Sequence, residues 1–68
     1  MNIRRMIELF DKHGTKLNKR YQVIFILWIE GTKKVDIAKE QKVTKQCINN
    51  IFKIIETNLE KYDKTSNN

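Results

Sequence analysis

Proline is absent from this 68-residue chain, glycine occurs twice, and cysteine and histidine occur once each. With no proline, no position is barred from a helix interior, and Gly14 and Gly31 stand as the natural helix stops. The single cysteine, Cys47, excludes a disulfide within one chain, and Cys47 with His13 cannot supply a four-ligand zinc site. Long apolar runs are missing too. The longest, Val23 to Ile29, falls far short of the roughly 20 residues that span a bilayer, and Met1 to Phe10 has no signal-peptide core. A soluble, cytoplasmic protein with no membrane partner is therefore expected. A nucleophile paired with a base, a glycine-rich phosphate loop and a cluster of metal ligands are all absent from the pattern, so neither an enzyme nor a cofactor is expected.

What is present in excess is positive charge. Fourteen Lys and Arg stand against eight Asp and Glu, a formal +6, which on so small a surface attracts polyanions. The chain is long enough for one domain, and a domain of this size buries only about 60% of its unfolded surface. With disulfides and metals excluded, self-association is the remaining source of extra stability.

The apolar spacing predicts four helices. Ile3, Met6, Ile7 and Phe10 mark one face of a first helix over Met1 to His13, with Gly14 as its left-handed stop. His13 then stands at a helix C-terminus, where a protonated imidazole suits the dipole. Thr15 and Asn18 are both candidate caps for a second helix, about Asn18 to Glu30, ended by Gly31. Its apolar run, including Phe25 and Trp28 as core or interface residues, must be covered on more than one side. Thr32 is the candidate cap of a third helix, Lys33 to Glu40, and Thr44 of a fourth starting at Lys45. The fourth meets no stop before Thr65, and Ile48, Ile51, Ile55, Leu59 and Tyr62 continue one stripe along it. Residues 1–64 are read as one domain, with its central motif at 33–53, and 65–68 as a flexible tail.

The stretch 33–53 has a small residue, Ala38, where two helices would cross. Ile37 precedes it, Val43 lies in the turn, and Ile48 and Ile51 lie on the inner face of the second helix. The pattern A-K-E-x-x-V-T-x-x-x-I-N-N-I, from Ala38 to Ile51, resembles the helix-turn-helix of the phage Cro and repressor class. From Leu17 to Leu59 the order Leu17, Lys19-Arg20, Val23-Ile24, Gly31, Ile37-Ala38, Thr44 is similar to sigma factor region 4 and LuxR-type output domains. In size and arrangement the chain is also similar to small TrfB/KorA-type plasmid repressors. The turn departs from the usual Leu-Gly: here Gln41 and Lys42 stand there, which puts a lysine at a left-handed backbone position at a cost of about 1 kcal/mol.

The resemblance implies an all-α, four-helix helix-turn-helix domain with a long C-terminal helix serving recognition and dimerisation. It implies double-stranded DNA as the partner, at a palindromic operator. Carried over by position, Lys45, Gln46, Asn49, Asn50 and Lys53 lie on the outward face of the recognition helix, with Gln46 and Asn49 first for reading bases. Gln and Asn pair bidentately with adenine and Lys with guanine. Thr44, Lys33, Lys34 and Lys42 would grip phosphates. No acidic residue occurs from Gln41 to Ile55, as a groove-facing surface requires. Cys47 is expected as a packed, inward thiol, against a redox role. The apolar residues Phe25, Ile29, Ile55, Leu59 and Tyr62 are the expected homodimer contact, with packing of Ile55, Leu59 and Tyr62 back on the first helix as the alternative.

These readings converge on a dimeric, sequence-specific DNA-binding regulator of transcription, a repressor of phage or mobile-element origin. A rival is a small interaction module that binds RNA polymerase or another regulator through apolar helices. An antitoxin that autoregulates its operon would share the DNA site.

Overall fold

The side chain of Asn18 accepts a hydrogen bond from the Tyr21 amide at 2.8 Å, and that of Thr44 from the Cys47 amide at 3.1 Å. Each cap satisfies an otherwise unpaired amide and starts a helix. The computed structural model describes residues 3–66. It contains α1 (Ile3–His13), a single 3-10 turn (Gly14–Lys16), α2 (Lys19–Ile29), α3 (Lys34–Glu40) and α4 (Lys45–Ser66). The all-helical, four-helix class read from the sequence is the one observed, with no strand among the described residues. Met1, Asn2, Asn67 and Asn68 lie outside that range.

Two helices end in the same way. At the end of α2, Gly31 adopts φ 102°, its amide donates to the Trp28 carbonyl at 3.1 Å and the Thr32 amide to that of Leu27 at 3.0 Å. At the end of α3, Lys42 adopts φ 58°, its amide donates to Lys39 at 3.2 Å and the Val43 amide to Ala38 at 2.9 Å. Both are Schellman endings, one built on glycine and one on lysine. Val43 then packs against the core, supplying the apolar contact that Gln41 does not. The left-handed lysine inferred from the sequence is therefore present.

Several local expectations are corrected. Gly14 is not a left-handed stop; it opens the 3-10 turn, and it is buried. A Cβ there would lie 2.8 Å from the Phe10 ring, so glycine is required for close approach. Thr32 does not cap α3. Lys33 occupies that position and makes no side-chain cap bond. Thr65 and Ser66 belong to α4 rather than to a tail, and the Thr65 hydroxyl donates to the Lys61 carbonyl at 3.0 Å. On α1 the inward face is Met6, Leu9 and His13, while Ile3 and Ile7 stay exposed. At about 100° per residue, positions 6, 9, 10 and 13 share one side that the choice of 3 and 7 overshoots.

One core unites all four helices: Met6 and Leu9, Ile24 and Phe25, Ile37 and Ala38, and Ile48, Ile51, Phe52, Ile55 and Leu59. The apolar run of α2 is not swallowed whole. Ile24 and Phe25 are fully buried, whereas Val23, Ile26 and Ile29 remain 44–45% exposed. At about 1.5 Å per residue α4 is roughly 33 Å long, most of the 39 Å long axis of the molecule. Its first half packs on α2 and α3 and its stripe continues against α1. Phe25, Ile55 and Leu59 are each 0% exposed within the single chain, which corrects their assignment to a subunit contact. They are covered within one copy, in a core to which α1 contributes Met6 and Leu9. Tyr62 is half-buried and its hydroxyl donates to the Lys16 carbonyl at 3.4 Å. Of the five, Ile29 alone is exposed, at 45%.

Beside this packing, α1 and the end of α4 are joined by charge. Arg5 reaches Asp63 at 2.9 Å and Glu60 at 3.8 Å, and His13 Nε2 lies 3.3 Å from the other Asp63 oxygen. His13 is buried, so it closes a contact between helices as well as ending α1. The hydrogen bond from His13, reinforced by Arg5, holds the Asp63 carboxyl below its ordinary value of 3.8.

Two outcomes follow. Lys42→Gly removes a side chain from a left-handed position and is expected to raise stability by up to about 1 kcal/mol, read as a higher urea midpoint. A depressed carboxyl stabilises the fold above its unfolded value and ceases to do so as pH falls through the folded one. Stability should therefore drop as pH is lowered below about 4, and Asp63→Asn should weaken the protein at neutral pH while flattening that acid-side decline in a pH series of thermal melts.

Candidate nucleic-acid interface

Buried residues fix which way α4 faces. Ile48, Ile51, Phe52, Ile55 and Leu59 point inward, and helical geometry then puts Gln46, Asn50, Lys53 and Thr57 on the opposite side, at spacings of four, three and four. All four are exposed. Lys45 is exposed and Asn49 half-buried on one flank of this side. The Gln46 amide donates to the Asn50 side-chain oxygen at 3.4 Å, a long bond that aligns two amides one turn apart.

The remaining residues read as phosphate contacts are distributed around the turn and the start of α3. Lys33 and Lys42 are exposed. Thr44 spends its acceptor on the Cys47 amide, and its hydroxyl proton is left to donate. Lys34 is more confined. Its ammonium lies 5.0 Å from the centre of the Phe52 ring and 6.0 Å from that of Trp28, within cation–π range. Cys47 is half-buried and packed on the core, as a thiol filling space.

Four of these residues are brought together. Lys34, Gln46, Asn49 and Lys53 line one open cleft of about 470 Å³, with Trp28 and Phe52 in its walls. Glu56 lines it too. Lys33, Lys42, Thr44, Lys45 and Asn50 lie outside that cleft, on the same end of the molecule as the start of α4 only through their place in the chain. Trp28 is read from the sequence as a core or interface residue only, and Phe52 and Glu56 are not singled out there for the site. Helical spacing carried a signal for the last, since Glu56 follows Lys53 by three and Asn49 by seven; Trp28 needed the fold of the Gly31 turn.

Chemically, the outward side of α4 from Lys45 to Lys53 offers ammonium and amide groups with no carboxylate among them. Ammonium groups neutralise phosphates, and amides present donor and acceptor together, the combination that adenine's major-groove edge complements. Glu56 marks where this character ends. No family model, no curated protein and no solved structure matches the chain.

The orientation of α4 depends on its first turn. Thr44→Ala should cost about 1 kcal/mol, seen as a lower denaturation midpoint, whereas Thr44→Ser should keep most of the stability.

Proposed function

We propose that this chain is a sequence-specific double-stranded DNA-binding regulator of transcription that works as a homodimeric repressor. In this reading α3 and α4 act as a helix-turn-helix. The observation that carries it is the exposed, carboxylate-free side of α4 bearing Gln46, Asn50 and Lys53 and flanked by Lys45 and Asn49. The start of α4 enters the major groove with these side chains toward base edges, while α3 lies across the backbone. Gln46 and Asn49 read adenine; Lys33, Lys34, Lys42 and Thr44 hold phosphates. Lys34 is already ordered over two rings, so it loses less freedom on meeting a phosphate than a lysine in open solvent.

One copy of α4 covers one half-site. A palindromic operator then needs two copies, and the surface free to join them is the exposed flank of α2 at Val23, Ile26 and Ile29. That same flank supports a second reading, an interaction module for RNA polymerase or another regulator. Repression is the output proposed here because occupying a promoter is by itself enough to block it.

Selection of bound duplexes from a random pool tests the proposal. It should return a site with two symmetric halves about ten base pairs apart. Gln46→Ala with Asn49→Ala should flatten the preference, each side chain being worth about 1 to 3 kcal/mol of discrimination. Lys33→Gln should weaken all duplexes alike and lower the salt slope by about one. Equal affinity for every duplex would remove base readout, and cellular activity surviving the double substitution would favour the interaction module.

A further inference from the structure

The outward side of α4 carries one side chain that neither amide readout nor phosphate contact uses. Ile54 is 42% exposed and is the only large apolar residue of α4 so exposed among the described residues. It follows Asn50 by four residues and Gln46 by eight, so the three occupy about 12 Å along the helix on neighbouring rows of its outer surface. Lys53 and Thr57 border it in a shallow surface hollow. Glu56, the first carboxylate after this stretch, projects about 160° away around the helix axis.

We infer that Ile54 packs against the C5-methyl of thymine in the major groove, and that the half-site taken by α4 is A·T-rich, with adenine under the amides and thymine under Ile54. The inference rests on the DNA-binding reading and gives it a substrate class. The thymine methyl is the one apolar group that base pairs present in the major groove, and aliphatic side chains contact it. Isoleucine is suited to this because its branched Cβ holds one strongly preferred rotamer on a helix, and the backbone beneath it is fixed by the buried Ile51 and Ile55, about 60° and 100° around the helix from it. Asn50, one turn nearer the start of α4, matches adenine N6 and N7. Amides and an aliphatic group on one surface complement adenine and thymine together, and the carboxylate that would favour the exocyclic amine of cytosine is absent from Gln41 to Ile55.

The test removes the methyl alone. The best duplex selected by the full chain from a random pool is remade with deoxyuridine in place of one thymine at a time, which keeps every hydrogen-bonding atom of the base. Binding should weaken about fourfold at one or two thymines of each half-site and stay unchanged elsewhere. Ile54→Ala, on an exposed surface, should melt like the parent chain and bind the thymine and uracil duplexes equally. No loss at any thymine, a thymine-to-uracil ratio that Ile54→Ala leaves intact, or a selected site made of G·C pairs would each overturn the inference. A change of oligomeric state in Ile54→Ala with that ratio intact would assign the side chain to a subunit contact instead. If sites are selected but uracil is neutral, DNA reading by the amides stands and the role of Ile54 falls. If no duplex is enriched, both fall.

Discussion

Phe25 is where the helices of this protein are fitted to one another. Its ring stacks on Phe10 of α1 at 4.4 Å, meets Trp28 of its own helix edge-on at 5.6 Å and stands 6.3 Å from Phe52 of α4. Trp28 and Phe52 meet edge to face at 5.1 Å, and Lys34 of α3 rests over both. Aromatic pairs in these arrangements contribute about 0.5 to 1.5 kcal/mol each beyond the surface they bury. The larger effect is geometric. Rings are wide and stiff, so a helix that carries one has few ways to lie against its neighbours, and the direction of α4 is set by where Phe52 fits.

That direction is what gives α4 two different halves. Near its start the helix leans on α2 and α3 with one side and leaves amides and ammonium groups in solvent. Further along, the same stripe of Ile55 and Leu59 disappears under α1. A rod of this length would need a second subunit if the chain ended its core at three helices. Because α1 folds back and supplies Met6 and Leu9, the apolar stripe is satisfied within one copy. Any association between copies would then have to draw on a different surface, and α2 keeps Val23, Ile26 and Ile29 exposed.

The helices were legible in the sequence because their ends are written locally. Asn18, Gly31 and Thr44 act on residues within one turn of themselves, and the apolar period needs no knowledge of the rest of the chain. Lys42 was legible for the same reason, as the residue left at a position that the turn requires to be left-handed. What could not be read is whatever depends on distant partners. The stripe of Ile55 and Leu59 announces burial but not by what, and α1 as its cover is a tertiary fact. The pairing of His13 with Asp63 joins residues 50 apart, so His13 looked like a simple helix terminus. Gly14 was read as a torsional glycine when its reason is the ring of Phe10. In the candidate site the exposed side of α4 followed from periodicity, whereas the perch of Lys34 over Trp28 and Phe52 required three helices to be in place.

The contacts of Asp63 with Arg5 and His13 span 58 and 50 residues of sequence, while α2, α3 and the start of α4 follow one another in the chain. Closing a long loop carries an entropic cost that neighbouring helices do not meet. The part of the molecule from Lys19 to Phe52 can therefore organise first, and the docking of α1 along the far end of α4 completes it. The end of the molecule that carries the outward amides is thus held by elements adjacent in the chain, and the end that seals the long helix by contacts that each close a long loop.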